Sequence, residues 1–274
     1  MWLDRKVAVA VLAACSAVAV GGVAHANSIG LNLSGGNGGP YNLDATPPGL
    51  TAGVVAQDNW NDLSGNSQTS PSSAFHDSTG AATTATATWS GPDTWGTFGS
   101  SQSNADLQLL NGYLDSNHNT GSNHTVTPAT ITVSGLTYSS YEVIAYFNSD
   151  HLNTNTNAAF GNVSIGSTKY YYTAIGPVSA DYSPSPYRQT TTTTDPGVAS
   201  SSDLADYAVF TGLSGSSFTL TLTPEGVALS GNNSGIAGLQ IVDTTAVPEP
   251  ATMGMFAAGA MGLLIASRRK GNTV

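Results

Sequence analysis

An antiparallel β-sandwich, or jelly roll, of about nine strands is the fold class this sequence predicts, and three observations predict it. Apolar residues recur at every second position in short runs, the period of a half-buried strand. Gly, Asn and Ser punctuate those runs, with 31 glycines and 13 prolines in 274 residues available for turns. No helical pattern alternates with the strands, so packed sheets are the natural way to build a core.

Taken in order, Ser28 to Ser34 places Ile29, Leu31 and Leu33 on one face. Thr83 to Trp89 alternates Thr with Ala and ends on an aromatic ring. Thr130 to Val133 leads through Ser134-Gly135 toward Tyr141 to Phe147, which is apolar on both faces except at Glu142. Asn162 to Ile165 and Lys169 to Thr173 flank Gly166-Ser167. Tyr207 to Thr211 follows, then Ser217 to Thr223 with Phe218, Leu220 and Leu222 aligned, and finally Ile236 to Val242. β-Branched and aromatic residues dominate throughout, as pleated surfaces favour. Ala105 to Leu114 fits either period and is left open between helix and strand.

One pattern occurs twice. Val133 to Val143 and Phe210 to Leu220 both read strand, Gly-Leu turn, aromatic, strand. This predicts two hairpins whose leucines, Leu136 and Leu213, cover the end of the core. Leu63 to Ser73 and Asp181 to Ser202, the latter with the unbroken run Thr190 to Thr194, read as long surface loops.

Charge separates the ends of the chain from its body. Arg5, Lys6, Arg268, Arg269 and Lys270 are terminal, leaving Lys169 and Arg188 against fifteen acidic residues between 27 and 246, a net −13. Such a surface repels nucleic acid and anionic lipid. At the start, Arg5-Lys6 precede an apolar run from Val7 to Val23, and Ala24 and Ala26 occupy the small-residue positions that signal peptidase reads. A signal helix over residues 1–26, cut after Ala26, is predicted. Leu12-Ala13-Ala14-Cys15 is a rival, lipoprotein-type reading. Cleavage after Ala26 removes Cys15, the single cysteine, so the mature chain has no disulfide and no thiolate. The body, 27–246, is long enough for one large domain.

At the other end, Val247-Pro248-Glu249-Pro250 breaks any helix. Ala251 to Ala266 then carries no charge, and sixteen helical residues span roughly 24 Å. That is a short transmembrane helix, below the ~30 Å of a hydrocarbon core. Arg268-Arg269-Lys270 would hold it from the cytoplasmic side. This order of parts resembles the PEP-CTERM sorting signal, over Val247 to Lys270 within a tail of 247–274. The resemblance implies a Gram-negative exported protein whose precursor is transiently anchored in the inner membrane. It also implies handling by an exosortase, a membrane cysteine protease/transpeptidase, and a mature protein outside the cell or on its surface.

The body offers little catalytic patterning. His76, His118, His124 and His151 form no helical zinc pair, and His118 and His124 fall in a polar loop. No Gly-x-Ser-x-Gly elbow, phosphate loop or dinucleotide fingerprint occurs. Asp58 with Asp62, and Asp203 with Asp206, are close acidic pairs, but glycosidase chemistry needs a spatial separation that sequence spacing does not give. No cofactor is expected, although Asp58, Asp62 and Asp150 supply hard oxygens and leave room for a structural calcium. Trp60, Trp89 and Trp95 stand beside Asn and Asp, the chemistry of a sugar platform, with core plugs as the plainer alternative. Ser28 to Leu33, the Gly-Leu turns and Gly235 to Asp243 also resemble the galactose-binding-like jelly rolls of secreted bacterial proteins. That likeness lies in strand patterns and assigns no sugar-contacting residue.

The expectation is therefore a non-enzymatic secreted or cell-surface protein, structural or adhesive in an exopolysaccharide or biofilm matrix. Its partners would be signal peptidase and exosortase during export and extracellular polysaccharide afterwards, with no nucleic acid. A carbohydrate-binding module is the alternative, and a glycan-active hydrolase the second alternative.

Overall fold

The computed structural model describes residues 26–34, 42–43, 51–99, 102–120, 123–151, 159–176, 187–200, 203–225 and 234–245. The expected signal helix, with Ala24, and the whole tail from 246 onward lie outside the described residues. Ala26–Thr245 forms one compact unit.

Each run with strand period is a strand: β1 (Ser28–Leu33), β4 (Thr86–Ser90), β9 (Ala129–Ser134), β10 (Tyr141–Ser149), β11 (Phe160–Ile165), β12 (Thr168–Ala174), β14 (Tyr207–Leu213), β15 (Ser217–Pro224) and β16 (Ser234–Asp243). Shorter strands join them: β2 (Asn61–Leu63), β3 (Ser67–Gln68), β5 (Asp93–Gly96), β6 (Gly112–Asp115), β7 (Asn117–Thr120), β8 (Asn123–Val126) and β13 (Leu204–Ala205). The ambiguous segment is both things in turn. Asn104 caps a short helix α1 (Ala105–Leu109) by accepting from the N–H groups of Asp106 and Leu107, and β6 follows. The polar stretch bearing His118 and His124, expected as a loop, pairs with itself as the β7–β8 ribbon.

Two seven-stranded sheets pack face to face. The first runs β14-β10-β16-β1-β2, with β6 beside β16 and β5 outside β6; the second runs β13-β12-β11-β15-β9-β4-β3. Among these pairings only β1–β2 and β12–β13 are parallel. Between the sheets lies a core containing Leu31, Val143, Phe147, Val163, Tyr172, Leu220 and Leu239. Phe147 of one sheet stacks on Tyr172 of the other with centroids 4.0 Å apart.

The first sheet is also covered on its outer face. Trp60, Leu109, Leu110, Ile144, Tyr146 and Val242 form a second apolar cluster there. This is why β10 is apolar on both faces and why all six residues of β1, polar ones included, are buried. The cover is pinned by buried polar groups. Gln240 Nε2 donates to the Val55 carbonyl at 2.6 Å and to Gln57 Oε1 at 2.9 Å, and Gln240 Oε1 accepts from the Tyr146 hydroxyl. Val54 N–H donates to that same hydroxyl at 2.7 Å. A loop laid over a sheet must satisfy its backbone, and these side chains do so.

The two Gly-Leu turns are not hairpins, contrary to the sequence pattern. β9 lies in the second sheet and β10 in the first, and β14 and β15 are likewise split. Each turn is an arch that carries the chain across the core. The arches stand side by side: Leu136 N–H donates to the Ser216 carbonyl at 3.0 Å, β9 pairs with β15, and β10 pairs with β14. Leu136 is buried against the core end and Leu213 packs on it partly buried, as expected. The Thr190 to Thr194 loop is likewise partly used: the Tyr171 N–H donates to the Thr192 carbonyl at 2.8 Å, so the threonine run lines the edge of β12.

Candidate functional site

The tryptophans are placed unequally. Trp60 is 2% exposed, donates its indole N–H to the Gln57 carbonyl, and meets Tyr146 edge to face. Trp89 is 7% exposed, packs into the inter-sheet core and donates to the Gly65 carbonyl at 3.0 Å. Neither presents a ring face to a sugar. Trp95, on β5 opposite Tyr113, is half-buried at the rim of the outer cluster.

The acids weighed as calcium ligands serve separate internal bonds. Asp58 Oδ1 accepts from the Thr51 hydroxyl at 2.6 Å. Asp62 Oδ1 accepts from Asn32 Nδ2 at 2.7 Å and from Leu43 N–H at 3.0 Å. Asp150 Oδ1 accepts from the Tyr113 hydroxyl at 3.1 Å and lies 3.6 Å from His151 Nε2. Among the described residues no group of three His, Cys, Asp or Glu is placed to hold a metal ion.

Among the described residues Asp206 and Asp115 are the most deeply buried carboxyls. Asp115 faces Asp93 across the β5–β6 pair. Desolvation pushes its pKa well above the usual carboxylate range, and repulsion from Asp150 and Asp93 adds to that, although the Asn117 N–H opposes it. Asp206 is fully buried; its Oδ1 accepts from Arg188 N–H at 2.8 Å while Oδ2 has no partner among the described residues. Desolvation raises it well above the usual range too, against the lowering effect of Arg188. In both, burial favours the uncharged form over the charged one.

A pocket of about 330 Å³ opens where the β9–β10 arch meets the start of β1. Its polar lining is Asn27, Asp77, Thr83, Thr84, Thr137 and Tyr138; Ile29, Ala82, Ala85 and Leu136 supply the apolar part. Asp77 holds a tight turn: its Oδ1 accepts from Thr79 N–H (2.9 Å), the Thr79 hydroxyl (2.6 Å) and Ala81 N–H (3.0 Å). Burial pushes the Asp77 carboxyl up, yet these hydrogen bonds outweigh it and leave the pKa below its ordinary value, so Asp77 is an anion at neutral pH. Thr83 and Thr84 brace the wall, donating to the carbonyls of Phe75 (2.8 Å) and Gly135 (2.6 Å). The Tyr138 hydroxyl is shut from solvent with no hydrogen-bond partner among the described residues. Burial, then the charges of Asp77 and Asp243, push its pKa up to about 12, which keeps it a donor.

Sequence reasoning did not single out this pocket. One signal was present. Where the two Gly-Leu arches align, Thr137-Tyr138 stands against Ser214-Gly215, so a bulky side chain occurs in one arch alone.

The chain is thus an all-β protein with two packed sheets. Residues 246–270 match the family described as the PEP-CTERM protein-sorting motif. The motif is present, and it is consistent with exosortase-dependent processing of a secreted or surface protein. No curated protein and no solved structure matches the chain.

Proposed function

We propose that this is a non-enzymatic secreted or cell-surface protein, structural or adhesive in an exopolysaccharide or biofilm matrix. A signal peptide over 1–26 starts export, the sandwich of 27–246 is the working part, and the signal of 247–274 delivers the chain to an exosortase. The match of residues 246–270 to the sorting motif carries this reading. Support also comes from the body, where the acids Asp115 and Asp206 are buried and two of the three tryptophans of the candidate sugar platform, Trp60 and Trp89, are core. Such a sandwich resembles a scaffold more than a cleft enzyme.

The test replaces Pro248, Glu249 and Pro250 by alanine and follows maturation in the exporting cell. The variant should accumulate as a longer, membrane-bound precursor. Maturation and release identical to the wild type would defeat the sorting reading.

A further inference from the structure

We propose that the pocket beneath Tyr138 binds one neutral hexopyranose unit of a surface polysaccharide. The inference rests on the matrix reading above and names the ligand that such a protein would hold. About 330 Å³ lies at the small end of ligand pockets, ~300–1,000 Å³, and suits one ring better than an extended chain.

The hydrogen-bonding capacity of the lining is divided. Thr83 and Thr84 spend their hydroxyl protons on backbone carbonyls, so they stiffen the wall. Unspent among the described residues are the Asn27 amide, the Thr137 hydroxyl and Asp77 Oδ2; the Tyr138 hydroxyl is shut away and its ring serves as wall. Together the unspent groups comprise donors and acceptors, the combination that alternating sugar hydroxyls require. Asp77 Oδ2 accepts a sugar O–H as a charge-assisted bond, while its other oxygen stays locked in the turn. Ile29, Ala82, Ala85 and Leu136 face the C–H side of the ring.

Charge and chemistry exclude the other ligand classes. Among the described residues of the lining Asp77 is the one charged side chain, so an anion is repelled. A divalent cation needs several oxygens, and here a single carboxylate has one oxygen already committed to three donors. An apolar ligand would strand Asp77 Oδ2 in a dry site.

The experiment uses the full chain in a sugar-free zwitterionic detergent. Saturation-transfer NMR is recorded with D-glucose, D-galactose, D-mannose and, as the charged control, D-glucuronate, at about 10 mM each. At least one hexose should receive saturation and glucuronate should not. Asn27→Ala and Thr137→Val should each weaken that binding roughly three- to ten-fold, the loss of one hydrogen bond, with unchanged melting curves. Trp95→Ala should bind as the wild type. The proposal is overturned if no hexose receives saturation, if both pocket variants bind as tightly as the wild type, or if Trp95→Ala alone abolishes binding. Its failure is separable from that of the matrix reading, because maturation of the Pro-Glu-Pro variant is read in a different assay.

Discussion

Trp60 packs directly over Gly30: a Cβ built on Gly30 would stand 2.8 Å from Cε3 of the indole and 2.3 Å from Nε2 of Gln57. The outer cover of the first sheet therefore depends on a missing side chain in β1. Gly30→Ala must displace Gln57, which accepts from Ser28 Oγ and from Gln240 Nε2, or push the indole outward. A loss of about 1–3 kcal/mol is expected. Urea unfolding should show a lower midpoint at unchanged slope, and an unaltered midpoint would refute the contact.

The two arches respond differently to the same substitution. Gly135 (φ +77°) and Gly212 (φ +69°) are both left-handed, but a Cβ at Gly135 would lie 2.3 Å from the Thr84 carbonyl oxygen, whereas Gly212 has open space. Gly212→Ala should cost about 1–2 kcal/mol, the backbone strain alone. Gly135→Ala should cost clearly more, since backbone must move. Thermal melts of the two variants give the comparison, and equal losses would contradict it.

Stability should fall as pH rises from the acid side. Asp115 and Asp206 have folded pKa values raised well above the ordinary 3.8, so between that value and the raised one the folded state binds more protons than the unfolded state. Their stabilising contribution is complete below the ordinary value and is lost as pH climbs through the folded one. Asp77, with its lowered pKa, acts in the opposite sense, and its contribution is lost only on strong acidification. Asp206→Asn should flatten the decline in midpoint on the way to neutrality. A wild type equally stable at pH 4.5 and 7.5 would refute this.

Iodide should separate the tryptophans. Trp60 and Trp89 are buried and Trp95 is half-buried, so Trp95→Phe should remove most of the quenchable emission of the body. Trp60→Phe and Trp89→Phe should leave it in place. Comparable quenching in all three variants would contradict the burial.

Period-2 patterning located the long strands because each has at least one face on the inter-sheet core, as in the alternating burial of β9 and β15. Which sheet a strand joins was not legible. A Gly with positive φ followed by Leu suits a hairpin or an arch equally, and pairing β9 with β15 rather than β10 is decided by contacts some 85 residues apart in sequence. The outer cover was hidden because its loop has no period and is held by Gln240, which reads as an interruption of an apolar strand. The core and sugar-platform readings of Trp60 were inseparable for the same reason: Asp58-Asn-Trp-Asn-Asp62 looks solvated until Gly30 is seen beneath it. The pocket draws on β1, the Asp77 turn and the first arch, and no local pattern links these three segments.

β16, the last strand before the sorting tail, sits inside its sheet. β10 flanks it on one side along nearly its whole length, and β1 and β6 share the other. An edge strand peels under load one bond at a time. A strand held on both sides must shear two ladders together, so tension applied through the tail meets one of the mechanically strongest parts of the sandwich.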